Sequence, residues 1–82
     1  MNNPSDKEIL NAMRTGCRSA PDLVKTLYDL DGHGTVRQCM DYRSRRSWMN
    51  RKLNSLARYD IVRKTGMEKT GNTWTTTFEV VE

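Results

Sequence analysis

The sequence has no long apolar run, and this absence limits where the protein can reside. Hydrophobic residues make up 35% of its 82 positions. None of their runs approaches the roughly 20 residues that a membrane-spanning helix requires. The first residues also lack the basic region and the apolar region of a signal peptide. We therefore expect a small cytoplasmic protein, a single domain over residues 1–82 with residues 1–4 disordered, and no membrane partner.

Residues that hold metal ions or perform catalysis are also scarce. The chain contains one histidine, His33, and two cysteines, Cys17 and Cys39, without the tight spacing of a zinc site. It has neither a glycine-rich phosphate loop nor a Ser/His/Asp set. These absences predict a protein that is not an enzyme and has no cofactor or metal. The cysteines are expected to be buried thiols, with a disulfide as the alternative.

Positive charge is present and is concentrated in one segment. Residues 43–64 contain eight arginines and lysines and a single acid, Asp60, so this segment carries +7. The whole chain carries +4, so the remaining residues together carry −3. Concentrated positive charge is the electrostatic signature of a surface that binds a phosphate backbone. The charge distribution therefore predicts a nucleic-acid partner.

Two amphipathic helices are predicted before the basic segment. Ser5 and Glu8 form a capping box, and Gly16 favours the end of the helix that follows. Ser19 is the expected start of a second helix, with Pro21 in its first turn. Helical spacing predicts two buried faces, formed by Ile9, Leu10 and Met13 in the first helix and by Leu23, Val24, Leu27, Tyr28 and Leu30 in the second.

The middle of the chain predicts a turn, a short helix and a longer helix. After a turn at residues 31–34, Thr35 is the expected cap of a helix over residues 36–42, although a short strand at residues 35–37 is the alternative. Arg43 and Ser44 interrupt the apolar pattern, so Ser44 is the expected N-cap of a helix over residues 45–58. The residues of the short helix that are expected to face inward are Val36, Cys39 and Met40.

A β-hairpin is predicted at the end of the chain. Residues 61–65 and 73–81 have the composition of strands, and residues 66–72 are expected to form the loop between them. Asp60 precedes the first strand, and Asp tolerates a left-handed conformation better than most residues. Trp74 and Phe78 are expected to pack within the hairpin, because the second strand alternates in the pattern of a half-buried sheet.

The segment from Thr35 to Lys64 resembles the helix-turn-helix and first wing strand of small prokaryotic, and especially archaeal, winged-helix regulators. The resemblance rests on the Leu53-x-x-Leu56 pair, a short spacer and the apolar pair Ile61-Val62. It implies an α+β fold with a three-helix core, an extra or short helix, and a two-stranded β-hairpin wing. It also implies a transcriptional regulator that binds double-stranded DNA. The helix-turn-helix begins either at residues 36–42, which we prefer, or at residues 19–30 with an unusually long connection.

The helix over residues 45–58 is the expected recognition helix in the major groove. Arg side chains suit guanine, Asn side chains suit adenine, and Arg45 and Arg46 at the helix N-terminus suit phosphate. Residues in the hairpin are expected to reach the minor groove or the backbone. The predicted DNA-binding set is Arg43, Arg45, Arg46, Ser47, Asn50, Arg51, Asn54, Arg58, Lys64, Lys69, Thr70 and Asn72.

Three alternative functions and one mode of assembly remain open at this stage. The first alternative is a protein-interaction module of a larger assembly, since fold does not dictate function. The second is RNA binding, for which Trp48 is the only stacking candidate, although packing against the core is favoured for it. The third is binding of left-handed Z-form nucleic acid: Asn50 and Trp74 match that group of winged helices, but Asn54 stands where it has Tyr. A homodimer would use exposed parts of the first helix.

Overall fold

The computed structural model describes residues 3–81, which form three helices followed by an antiparallel hairpin. The expected α+β class is therefore confirmed. No helix within these residues combines the length and the apolar composition needed to cross a bilayer. The elements in chain order are α1 (Asp6–Arg14), α2 (Ala20–Tyr28), α3 (Val36–Arg58), β1 (Val62–Thr70) and β2 (Thr73–Val80).

Local capping residues set the starts of α1 and α2, as the sequence predicts, whereas α2 ends at Tyr28, before the predicted residue 30. The Glu8 amide donates to Ser5 Oγ at 3.2 Å, and the Ser5 amide donates to the Glu8 carboxylate at 3.3 Å, which completes the capping box. Ser19 is the N-cap of α2, although its side chain makes no capping hydrogen bond. Asp29 is the C-cap of α2, and its left-handed φ of 57° lets its amide donate to the Lys25 carbonyl.

Helix α3 is one continuous helix of 23 residues, so the predicted break at Arg43 and Ser44 is wrong. Thr35 caps it, as expected, in a capping box with Gln38. Ser44 lies inside the helix, because neither glycine nor proline interrupts residues 36–58 and an N-cap residue alone does not stop a helix. Residues 35–37 form no strand.

The first turns of α3 project beyond the core, which corrects the expected inward-facing set. Val36 is 78% exposed and Met40 is 64% exposed, whereas Cys39 is half-buried. The preceding connection contacts these turns, and the Cys39 thiol donates to the Gly32 carbonyl at 3.2 Å. Since α3 begins at Val36, the helix that precedes it is α2, and the separate short helix does not exist.

The hairpin is longer and its turn is tighter than the sequence predicts. Strand β1 extends to Thr70, so the turn consists of Gly71 and Asn72 alone rather than residues 66–72. Gly71 has a φ of 62°, which suits the first central position of a two-residue hairpin turn. A bulge between Lys64 and Gly66 shifts the register. Asp60 has a left-handed conformation, with a φ of 59°.

Strand β2 lies between β1 and the segment that joins α1 to α2. Ser19 forms an isolated antiparallel bridge with Thr77, and the Phe78 amide donates to the Arg18 carbonyl at 2.6 Å. This central position contributes to the burial of Thr77, whose hydroxyl contacts that of Thr65 at 2.8 Å. The simple alternation expected for this strand is therefore wrong: Phe78 and Thr77 are both buried.

The core lies where α1, α2, α3 and the base of the hairpin meet. Ile9 and Met13 belong to it, whereas Leu10 packs against it and is only half-buried, so the homodimer suggested for the first helix stays a prediction. Leu27 and Leu30 of the predicted α2 face are only half-buried. The buried apolar residues are Ile9, Ala12, Met13, Ala20, Leu23, Val24, Tyr28, Met49, Leu53, Leu56, Val62 and Phe78.

Of residues 1–4, which were expected to be disordered, residues 1 and 2 lie outside the described part of the chain. Asn3 makes two hydrogen bonds through its side-chain oxygen, which accepts from the Tyr28 hydroxyl at 2.8 Å and from Arg45 Nη1 at 2.9 Å. These bonds connect the start of the described chain to α2 and α3.

Candidate nucleic-acid interface

The second half of α3 has a buried face and a polar face. Met49, Leu53 and Leu56 are in the core, and their spacing places one side of the helix against α2 and the hairpin. Of the predicted recognition residues, Asn50 is half-buried. The exposed ones are Ser47, Arg51, Asn54 and Arg58.

Three of the eight basic residues in the 43–64 segment are engaged within the protein. Lys52 forms an ion pair with Asp6 at 2.6 Å, which joins α3 to the first turn of α1. Arg63 is paired with Glu79 across the hairpin. Arg45 is engaged by Asn3 and Tyr28. These three cations stabilise the contacts between elements.

Arg45 is half-buried against the α2 side of α3, apart from the exposed residues of the polar face. Its guanidinium carbon lies 5.1 Å from the centre of the Tyr28 ring, a cation–π geometry. Burial raises the pKa of Tyr28 above its ordinary value of 10.0, and the neighbouring Arg45 charge partly offsets this effect. The structure therefore gives Arg45 a packing role within the protein.

The remaining five basic residues of the segment have no ion pair or side-chain hydrogen bond with any residue from 3 to 81. Arg46 is half-buried, and the other four are exposed. Cations without an internal carboxylate partner remain available to an external anion. We call these residues the free cations; they are Arg43, Arg46, Arg51, Arg58 and Lys64.

The expectation that Arg45 and Arg46 lie at a helix N-terminus is wrong. Helix α3 begins at Val36, so both residues are more than two turns inside it. Their backbone amides are within the helix ladder and are not available to phosphate. Any phosphate contact of Arg46 would therefore be made through its side chain.

The far end of the hairpin exposes a mixed apolar and basic surface. Lys69 pairs with Trp74, and Met67 pairs with Thr76, so Met67, Lys69 and Trp74 share one face of the hairpin. Trp74 is 61% exposed and Met67 is 60% exposed. The expected packing of Trp74 within the hairpin is wrong, because the long strands carry it away from the core, whereas Phe78 at the base is buried. Sequence alternation gave no signal for the exposure of Met67.

The other predicted hairpin residues are at the turn and on β1. Asn72 is exposed at the second position of the turn, and Lys64 is exposed on β1 near the bulge. Thr70 ends β1, and the position of its side chain is outside the described part of the structure. The predicted set is therefore divided between the polar face of α3 and the hairpin, with Arg45 separate from both.

Trp48, the residue that the sequence offered for RNA stacking, is not a freely exposed ring. Trp48 is half-buried and packs against the core, as favoured from the sequence. Its ring is thereby held by the protein interior and is not freely exposed for a base. The stacking surface that most single-strand RNA recognition requires is not supplied by this residue.

Groups suited to metal or redox chemistry are dispersed. Cys17 and Cys39 are free and half-buried, so the disulfide alternative does not hold in this structure. Among residues 3–81 no three histidine, cysteine or acidic side chains are close enough together to hold a metal ion. An open cavity of about 600 Å³ lies between the end of α1 and the hairpin, lined in part by Met13, Cys17 and Phe78.

Comparison of this chain with protein-family models, with curated proteins and with solved structures gave no match.

Proposed function

We propose that this chain is a winged-helix protein that binds double-stranded DNA, with the second half of α3 in the major groove and the hairpin as the wing. The proposal adds a specific fold and a ligand to the α+β architecture described above. One observation carries it: residues 43–58 of α3 present four arginines with no internal ion pair or side-chain hydrogen bond, while the buried face of the same helix is held in the core.

The order of the elements supports the winged-helix part of the proposal. Three helices precede a hairpin, and the bridge between Ser19 and Thr77 adds a third short strand position between α1 and α2. Helix α2 precedes α3 directly, so α2 and α3 form the helix-turn-helix with residues 29–35 as the connection. This is the alternative that the sequence made less attractive, and the early start of α3 removes the objection to its long connection.

The dimensions and charges of α3 suit a DNA groove. Arg43 and Arg58 are separated by 15 positions of continuous helix, or about 22 Å along the axis. A major groove about 12 Å wide admits a helix of this kind. The free cations would bind phosphates on the groove edges, while Asn54 and the less accessible Asn50 are suited to adenine. Base contacts of this type are the source of sequence specificity.

A regulatory role follows from the proposed binding. A small domain that reads DNA sequence and occupies a promoter acts as a transcription factor, which in a bacterium or archaeon works in the cytoplasm. The hairpin end, with Lys69 and Trp74, would lie along the neighbouring backbone or minor groove.

The test is binding to mixed-sequence duplex DNA across a salt series. We compare the wild type with an Arg51→Gln/Arg58→Gln variant and with a Lys7→Gln/Lys25→Gln control, which loses the same net charge from exposed positions on α1 and α2. If both arginines bind phosphate, the slope of log Kobs against log salt falls in magnitude by about 1.8, while the control keeps the wild-type slope.

Two outcomes would refute the proposal. One is the absence of wild-type binding at low salt, which would favour a protein-interaction module. The other is an equal loss of binding in the control, which would mean that net charge alone, rather than the α3 surface, attracts DNA.

A further inference from the structure

The first two turns of α3 carry an exposed apolar pair that the core does not use. Val36 and Met40 are one turn apart on the helix, so their side chains are neighbours on one stripe. Val36 is the most exposed large hydrophobic residue described. Neither residue has a role in the proposed DNA surface, which lies further along α3. We call Val36 and Met40 the apolar pair.

Two opposite charges flank the apolar pair on one side. Arg37 and Asp41 are also one turn apart and are both exposed. They form no ion pair with each other, and neither forms one with another residue from 3 to 81. An adjacent basic and acidic residue without internal partners makes a surface that is complementary to its own reversed copy.

We propose that this end of α3 is a self-association surface that pairs two copies of the chain through antiparallel α3 helices. In an antiparallel pair related by a two-fold axis, the same flank of each helix meets its counterpart in the reverse direction. Arg37 of one copy then lies beside Asp41 of the second copy, and the reverse pair forms as well. In the same register Val36 of each copy packs on Met40 of the other.

This register brings no like charges together. Its centre lies between residues 38 and 39, so Arg43 of each copy lies opposite the start of the other helix and away from Arg43 of the second copy. In a parallel pair the flank of one helix would meet the opposite flank of the other, so the two reciprocal ion pairs would be lost. Charge complementarity therefore selects both the partner, a second copy, and its orientation.

The contact is small, so the dimer is weak. Two helical turns per copy bury much less than the 1,200–2,000 Å² typical of a stable complex. We therefore expect a monomer at micromolar concentration and a measurable dimer only toward about 1 mM. The inference concerns self-association in solution and does not depend on the proposed DNA binding.

The test is sedimentation equilibrium from about 10 µM to about 1 mM, with a charge-reversal pair. Arg37→Asp makes the flank wholly acidic, and Asp41→Arg makes it wholly basic. Each variant alone is expected to remain monomeric across the range, whereas an equimolar mixture is expected to form a heterodimer. Lys7→Asp, a reversal at an exposed site on α1, is the control and is expected to dimerise like the wild type.

The mixture makes the result independent of misfolding, because two unfolded variants would not rescue each other. A second arm tests the apolar contact: Met40→Gln keeps the side-chain length, and we expect it to weaken dimerisation at least several-fold. The inference is overturned if the wild type stays monomeric up to about 1 mM. The inference is also overturned if either single variant dimerises as strongly as the wild type, or if the equimolar mixture fails to associate.

Discussion

Because α3 is continuous through Ser44, removal of the Ser44 hydroxyl is expected to change stability in a definite direction. Ser44 is exposed, and its side chain makes no hydrogen bond within residues 3–81. In a helix interior Ser is less favourable than Ala by about 0.5 kcal/mol. Ser44→Ala should therefore raise the free energy of unfolding by about 0.5 kcal/mol, which corresponds to a rise in Tm of about 2–4 °C for a domain of this size.

The same substitution has the opposite effect if a helix starts at residue 45. Ser44 would then be an N-cap, and its replacement by Ala would lower the free energy of unfolding by about 0.5–2 kcal/mol. The sign of the change in Tm, measured by circular dichroism at 222 nm, distinguishes the two structures. Ser55→Ala is the matched control, because Ser55 is exposed and helical in both cases and should give a small gain.

A proline at the same position gives a larger effect. In the continuous helix the Ser44 amide lies in the i to i−4 ladder, so Ser44→Pro removes a hydrogen bond and introduces a clash, at a cost of about 3 kcal/mol or more. A domain of ordinary stability, about 5–15 kcal/mol, would lose a large part of its margin. A destabilised Ser44→Ala variant together with a well-tolerated Ser44→Pro variant would refute the continuous helix.

Three further predictions concern the core, the Tyr28 contact and the helix cap. Leu53→Ala should lower the free energy of unfolding by about 2–5 kcal/mol in urea titrations, because Leu53 is fully buried, and a loss below 1 kcal/mol would contradict its place in the core. The raised pKa of Tyr28 means that the contribution of its neutral hydroxyl to stability is complete below pH 10 and is lost as the pH rises through the raised pKa. Tyr28→Phe should therefore flatten the decline in the free energy of unfolding above about pH 10, and an unchanged slope would contradict the raised pKa. Thr35→Ala should cost about 0.5–2 kcal/mol through loss of the capping box, and a neutral result in thermal unfolding would show that the start of α3 is frayed.

Local sequence signals predicted each of the helix starts that the structure uses. The capping boxes at Ser5 and Thr35 are each made by residues three apart in the chain, so their geometry depends on nothing distant. The left-handed conformation of Asp60 is local in the same sense. The apolar spacing of Met49, Leu53 and Leu56 also identified the buried side of α3, because helical periodicity places them on one face.

The same local signals were ambiguous where two of them competed. Thr35 and Ser44 are both plausible N-caps, and the sequence did not indicate that only the first is used. In the hairpin, Gly66 and Gly71 are both plausible turn residues; the structure uses Gly66 beside a bulge and Gly71 in the turn. Strand pairing decides between the two glycines, and such pairing depends on contacts that neighbouring residues do not specify.

The sequence by itself determined the class of the fold, the basic character of the 43–64 segment and the buried face of α3, because composition and periodicity are properties of the chain alone. Only the tertiary structure decided which cations remain free. Arg45, Lys52 and Arg63 are engaged by Asn3 and Tyr28, by Asp6 and by Glu79, respectively, and each of these partners is at least 16 positions away in sequence. A charge count registers all eight basic residues equally, whereas folding neutralises or buries those that meet a partner and leaves the others to solvent.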